Sequence, residues 1–191
     1  MSVQRIKYLD DSERTQLLKI LADRRSAERD YMIVDLFLNT GLRLSELQVL
    51  NVSDVAGEKI EKTLIVRNGK GGKTREVPLN TLIRSHINQY LIWKAKHGEG
   101  IQSDDSLFVS RNGLRLSKRP IQRLVKKWLR MAGLRQNFVV HSLRHSFATR
   151  LYQRSKNIRA VQELLGHNRL DTTMIYTGIG KEELAQTVEM L

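Results

Sequence analysis

The sequence predicts a mainly helical α+β domain that includes a small antiparallel sheet of three strands. Apolar residues recur at the three- and four-residue spacing of a helix through most of the 191 residues. Three short runs, at 63–66, 74–78 and 107–109, contain β-branched residues between turn signals and predict the strands. With 40% hydrophobic residues and no cysteine, the chain is expected to fold around one core without disulfides.

The first two predicted helices precede the sheet. Asp10 and Asp11 open a helix that carries Leu17 and Leu21 at core spacing. A second helix is predicted over 28–39, and Thr40-Gly41 ends it. The residues that follow this glycine therefore begin a new element.

Arg43 lies at the start of that new helix, and Glu46 follows one turn later. An arginine held by a helical carboxylate is stiffened and can present its free edge to a phosphate. An exposed i, i+3 ion pair that contributes little to stability fits the same spacing equally well. Local sequence leaves both interpretations open.

The strands at 63–66 and 74–78 flank a glycine-rich turn and predict a β-hairpin. Its tip carries Lys70 and Lys73, which suits an arm that reaches into a groove to donate a proton or a charge. The turn is not a nucleotide P-loop, because its Gly-Lys is not followed by Ser or Thr at the head of a helix. A merely solvated turn is the alternative.

Most of the remaining chain is predicted to be helical. A helix capped by Asn80 or Thr81 runs to about Lys96, and a surface loop over 97–105 leads to the third strand. Further helices are predicted over 117–132, through the 140–150 stretch, from about 158 to Gly166, and over 181–191.

The charge is strongly positive and unevenly distributed. Lysine and arginine number 33 against 20 acidic residues, a net charge of +13, and no carboxylate lies between residues 105 and 163. A long stretch of one sign favours a phosphate backbone as the partner, although a basic surface without a specific role is the alternative. The helix over 117–132 is expected to contact the DNA backbone or major groove. The basic residues predicted to bind DNA are Lys73, Arg75, Arg115, Lys118, Arg119, Arg123, Lys126 and Lys127.

One face of the helix through 140–150 combines an imidazole with a guanidinium. His141, Arg144 and His145 share this face. The pair suits phosphate chemistry, since arginine offers a fixed fork of donors and histidine can move a proton near neutral pH. An ordinary amphipathic helix is the plain alternative. A metal site is less favoured, because the glutamate of His-Glu-x-x-His is absent and the chain has no cysteine.

Five motifs in order resemble the catalytic domain of the tyrosine recombinases, the phage integrase and Xer family. The resemblance extends from Leu9 to the end of the chain and implies the fold of that domain. The motifs are Thr40-Gly41-Leu42-Arg43-Leu44-Ser45-Glu46-Leu47, Gly69-Lys70-Gly71-Gly72-Lys73, His141-Ser142-Leu143-Arg144-His145, Leu164-Leu165-Gly166-His167 and Ile175-Tyr176-Thr177.

The resemblance implies roles for six catalytic residues and one accessory residue. Arg43 and Arg144 would bind the non-bridging oxygens of the scissile DNA phosphate, with Glu46 as an accessory acid beside Arg43. Two arginines can stabilise the pentacovalent charge without a metal. We therefore expect no cofactor, neither a metal ion nor ATP.

The other implied roles concern the nucleophile and its protons. Tyr176 would attack the phosphorus, His141 would serve as its general acid or base, and Lys70 would protonate the leaving 5′-oxygen. His167 would support the phosphorane. A phenol with a pKa near ~10 needs such a proton acceptor and a positive field to attack at neutral pH.

Two positions depart from the family pattern. The family often has Asp where this chain has Ser142, and often His or a similar polar residue where it has Gly178. Neither departure removes a group that the chemistry needs. They bear on helix capping and on how the tyrosine segment is tethered.

The resemblance also implies partners and domain limits. Residues 1–8 are expected to be a short lead, 9–191 the catalytic domain, and the N-terminal core-binding domain absent. Double-stranded DNA is the expected partner, with a homotetramer on DNA through 181–191 and a monomer in solution. The sequence has no bilayer-length apolar run, so we expect a soluble cytoplasmic protein that associates with the nucleoid. A DNA-binding module without catalysis and a type IB topoisomerase-like enzyme are the alternatives.

Overall fold

The structure is a computed structural model that describes residues 7–24, 27–56, 62–67 and 74–166. None of the helices in these ranges is long and apolar enough to cross a membrane. The described helices and strands are α1 (Asp11–Ala22), α2 (Glu28–Thr40), α3 (Leu44–Gln48), β1 (Thr63–Val66), β2 (Arg75–Pro78), α4 (Thr81–Lys96), α5 (Lys118–Met131), α6 (Val140–Ser155) and α7 (Ile158–Leu165), with a 3-10 turn at Val52–Asp54.

Helix α2 lies at the centre of the core and packs against α1, α4, α5 and α6. All of its residues from 32 to 38 are buried, as expected of a helix with apolar residues on every side. Its buried carboxylate, Asp35, accepts a hydrogen bond from Asn39 and pairs with His86 at 2.7 Å. The other described helices are therefore positioned by contact with α2 and its neighbours.

Side chains cap the helices where the sequence predicts their starts. Asp10 accepts a hydrogen bond from the backbone N–H of Glu13 at 2.8 Å, and the Glu13 carboxylate accepts one from the N–H of Asp10. Asn80 accepts from the N–H of Ile83 at 3.0 Å at the start of α4. The predicted starts of α1 and α4 are therefore confirmed.

Gly41 ends α2 in the left-handed conformation, with φ of +62°. A Cβ atom at this position would overlap the ring of Phe147 on α6 and would lie 2.9 Å from Leu165 Cδ2 on α7. Glycine is thus required for its backbone conformation and for the close approach of α6 and α7. This approach brings the start of α3 against the end of α7.

The prediction of a third strand was wrong. Within the described residues the sheet has two strands, β1 and β2, which pair antiparallel with Thr63 opposite Pro78. The segment at 107–109 bonds elsewhere: Leu107 donates to the carbonyl of Leu50, and the carbonyl of Phe108 accepts from Leu116. The backbone of this segment therefore bonds to the residues that follow α3 and to a local turn, and it does not pair with β1 or β2.

Candidate active site

Three arginines from different elements converge on the C-terminal end of α7. Arg75 Nε donates to the Leu164 carbonyl at 3.1 Å, Arg144 Nη2 to that of Leu165 at 2.7 Å, and Arg43 Nη2 to that of Gly166 at 3.2 Å. The last carbonyls of a helix have no partner within it and carry partial negative charge. The end of α7 therefore serves as a common anchor for the three guanidinium groups.

Glu46 holds the same arginines from the other side. Its Oε1 lies 2.7 Å from Arg43 Nη1, and its two oxygens accept from Arg75 Nη1 and Nη2 at 2.8 and 3.0 Å. Glu46 Oε2 also accepts from the backbone N–H of Arg43 at 2.7 Å and lies 3.9 Å from Arg144 Nη1. One carboxylate among three guanidinium groups leaves an excess of positive charge.

Glu46 stays ionised because its hydrogen bonds outweigh its burial. Its side chain is only 3% exposed, which would raise its pKa, but hydrogen bonds from Arg75 and Arg43 lower the pKa to about 2. Of the two interpretations of the Arg43–Glu46 spacing, the structure excludes the exposed surface pair. The carboxylate is a buried anchor and not half of an exposed surface pair.

Arg43 and Arg144 differ in how far they reach solvent. The Arg43 side chain is 26% exposed, whereas the Arg144 side chain is 2% exposed and donates to the carbonyls of Gly41 and Leu165. The Gly41 carbonyl accepts this bond at the point where α2 ends. The two arginines are therefore held by main-chain oxygens as well as by Glu46.

These arginines face a groove of about 640 Å³ that lies between α3, α5 and α6. Helix α5 contributes two lysines to it, so the groove is positively charged on more than one side. The residues that line it are Leu42, Arg43, Leu44, Ser45, Lys118, Gln122, Lys126, Val139, Val140, His141 and Arg144. A phosphodiester in this groove would meet guanidinium, ammonium and imidazole groups together.

His141 lies in the first turn of α6, and its ring centroid is 4.3 Å from that of His145. Partial burial of the ring and then the positive charges of Arg144 and Arg43 lower the pKa of His141 below its ordinary 6.5. Burial and the neighbouring His141 and Arg144 lower the pKa of His145 to about 4. Both imidazoles are therefore neutral near neutral pH, and a neutral imidazole can accept a proton.

Ser142 caps α6 in place of the aspartate that is common in the family pattern. Its hydroxyl oxygen accepts from the backbone N–H of Val139 at 3.2 Å, while the Val139 carbonyl accepts from the N–H of Ser142 at 2.8 Å. The Ser142 carbonyl accepts from the Ser146 hydroxyl, which in turn accepts from the N–H of Leu9. This substitution therefore keeps the start of α6 in place.

Among the predicted DNA contacts, Arg75 and Arg115 are engaged within the protein. Arg115 donates to the carbonyls of Gln48 and Leu50 and to the side-chain oxygen of Asn51, which ties its turn to α3. Sequence reasoning missed this role and that of the α7 carbonyls, since neither has a sequence signal.

The other predicted basic residues in the described ranges are exposed on α5. Lys118 and Lys126 line the 640 Å³ groove, and Lys126 also lines a neighbouring basic groove of 460 Å³. The exposed set on α5 is Lys118, Arg119, Arg123, Lys126 and Lys127. Predicted residues that lie outside the described ranges are Lys70, Lys73, His167, Tyr176, Gly178 and the segment 181–191.

Comparison with known proteins settles the family. Residues 7–183 match the phage integrase family. The chain belongs to this family. The resemblance stated from the motifs is confirmed, and so is the mainly helical fold class.

Individual members of the family show how far the likeness extends. A tyrosine recombinase XerC from Shewanella amazonensis is 42% identical over 183 residues, which cover 96% of this chain and 60% of that protein. A XerC from Caldanaerobacter subterraneus is 40% identical and is covered over 52% of its length. The crystal structure of a XerH site-specific recombinase bound to difH substrate, a pre-cleavage complex, has a TM-score of 0.81 and 29% identity, with 98% of this chain and 55% of that one covered. The chain thus spans little more than half the length of these relatives.

Proposed function

We propose that residues 9–191 form the catalytic domain of a site-specific DNA recombinase. It cleaves one DNA strand, holds the end as a 3′-phosphotyrosine, and rejoins it to another strand. The observation that carries this proposal is the groove where Arg43, Arg144 and His141 meet the lysines of α5. The relatives named XerC and the XerH complex with difH support DNA as the substrate.

In the proposed reaction Arg43 and Arg144 neutralise the scissile phosphate. The non-bridging oxygens gain negative charge as the phosphorus becomes pentacovalent, and guanidinium forks match that geometry. Glu46 and the end of α7 hold both groups before DNA arrives, so little reorganisation is required in the transition state. Neither a metal ion nor ATP is needed for this charge stabilisation.

The nucleophile and the leaving-group acid are assigned by the family motifs. The Tyr176 oxygen attacks the phosphorus as the 5′-oxygen leaves; neutral His141 takes the phenolic proton, and Lys70 gives a proton to the 5′-oxygen. His167 donates to the pentacovalent phosphate. The phosphotyrosyl ester replaces one phosphodiester bond, and attack by a new 5′-hydroxyl reverses these proton transfers.

The proposed partners are double-stranded DNA and further copies of the chain. The exposed basic face of α5 lies beside the groove and is suited to the DNA backbone. We place a homotetramer on DNA, joined through 181–191, and a monomer in its absence. Sedimentation with and without a recombination site tests both statements.

Covalent trapping tests the proposed reaction. The chain is mixed with a pool of nicked duplexes randomised around the nick and then denatured, and DNA-linked protein is recovered and its DNA sequenced. We expect an adduct with the parent chain that Tyr176→Phe abolishes. Retained DNA binding without any adduct would refute the enzyme and favour a module that only binds DNA.

A further inference from the structure

Arg75 is the first residue of β2, and all three nitrogens of its guanidinium group donate hydrogen bonds within the protein. Nη1 and Nη2 donate to the two oxygens of Glu46, and Nε donates to the carbonyl of Leu164. Its side chain is 14% exposed and packs against Gly166, where a Cβ atom would lie 3.2 Å from Arg75 Cδ. Unlike Arg43 and Arg144, Arg75 does not line the groove, so its guanidinium donors serve the protein and not a DNA phosphate in that groove.

The partners of Arg75 are the groups that orient Arg43. Glu46 Oε1 accepts from both Arg75 and Arg43, and the carbonyls of Leu164 and Gly166 bind one arginine each. A planar guanidinium that bonds both oxygens of a carboxylate fixes the plane of that carboxylate. Together with the backbone N–H of Arg43, which bonds Oε2, Arg75 therefore sets the direction in which Glu46 presents Oε1 to the Arg43 guanidinium.

Loss of the Arg75 side chain would remove two hydrogen bonds to Glu46 and one to the Leu164 carbonyl. Glu46 would keep its hydrogen bonds only from Arg43 and could rotate toward it, which would change the direction of the Arg43 guanidinium. The end of α7 would also lose its contact with β2 through Leu164. Both changes act on Arg43 without removing any group from the groove.

We propose that Arg75 is a positioning residue, which orients Arg43 through Glu46 and the end of α7 and does not contact DNA. This inference rests on the proposed function. It replaces the sequence-based expectation that Arg75 binds DNA. It also assigns β2 a role in the arginine site.

The test compares Arg75→Gln and Arg75→Lys with the parent chain on a duplex recovered by covalent trapping. Lysine keeps the charge but lacks the planar fork, whose separate nitrogens bond the two carboxylate oxygens and the carbonyl, and it serves if the glutamine variant does not fold. Arg67→Gln is the matched control, because Arg67 follows β1 in the same hairpin and pairs with a different buried carboxylate, Asp54. Lys118→Gln is the reference for the loss of a direct phosphate contact, because Lys118 lines the groove.

At saturating DNA we expect both Arg75 variants to form the adduct about tenfold to a hundredfold more slowly, as misplaced catalytic groups do. Their affinity for DNA and its salt dependence should match the parent, and Arg67→Gln should match the parent in adduct rate, DNA affinity and salt dependence. On a duplex with a methyl group in place of one non-bridging oxygen of the scissile phosphate, the deficit should shrink markedly. That phosphate is neutral, so it depends less on a well-oriented Arg43.

Three outcomes would overturn the inference while leaving the proposed function intact. Parental adduct rates in both Arg75 variants would exclude the role. Weaker DNA binding with a lower salt dependence, as expected of Lys118→Gln, would make Arg75 a direct phosphate contact. Equal deficits on the charged and methylated duplexes would indicate a general structural defect. Absence of any parental adduct would instead overturn the proposed function, and this inference with it.

Discussion

Glu46→Gln should destabilise the folded protein in a pH-dependent way. The substitution keeps the size of the side chain but removes the negative charge that faces Arg43, Arg75 and Arg144. It also turns an NH₂ group toward guanidinium donors that need an acceptor. Removing one partner of a buried ion pair is costly, because the remaining charges stay buried.

The magnitude follows from the pKa of Glu46. It is about 2 in the folded protein, against an ordinary value of 4.5, because the arginine hydrogen bonds outweigh burial. Since a tenfold change in acidity corresponds to about 1.4 kcal/mol, the ionised carboxylate contributes about 3 kcal/mol to the free energy of unfolding. A lowered folded pKa means that this stability is present above the unfolded pKa and is lost as pH falls toward about 2.

Urea unfolding followed by circular dichroism provides the assay. We expect Glu46→Gln to lower the free energy of unfolding by about 3 kcal/mol at neutral pH, and the difference from the parent to shrink as the pH falls below about 4. Glu76→Gln, an exposed position in β2, is the control and should leave the stability unchanged. A difference that is equally large in acid would refute the account, because it could not arise from the charge of Glu46.

Three further predictions concern the turn, the base and the groove. Gly41→Ala should lower the free energy of unfolding by about 2 kcal/mol or more in the same assay, because φ is +62° and the new Cβ meets Phe147; parental stability would contradict this. The rate of adduct formation should stay constant as the pH falls past 6.5, the ordinary histidine pKa, and should decrease only at lower pH, because the lowered pKa of His141 keeps it neutral. His141→Gln should abolish this decrease at acidic pH. An unchanged decrease in the variant would show that a residue other than His141 is the general base. Lys118→Gln should weaken DNA binding and reduce the salt dependence by about one phosphate contact in titrations, with no change in stability; an unchanged salt slope would remove Lys118 from the interface.

Local sequence signals were sufficient for most of the helices. The Asp10 and Asn80 caps, the glycine that ends α2 and the apolar spacing of α5 each act over a few residues, so they are visible in the chain itself. The third strand was wrong for a related reason. A run such as 107–109 has strand-like residues, but pairing depends on which backbone lies beside it, and here that backbone is the end of α3 and a local turn.

The candidate site divides in the same way. The amino-acid sequence by itself determined the residue types and order of the five motifs, the strong positive charge and the basic face of α5, because these depend on composition and spacing. Only the tertiary structure decided that Glu46 is buried, that Arg75 faces inward, and that three arginines share the last carbonyls of α7. Those contacts join segments that lie far apart in the chain, so no local pattern reveals them. Whether an ion pair is a buried anchor or a weak surface contact depends on the groups that pack around it, and packing is a property of the tertiary structure.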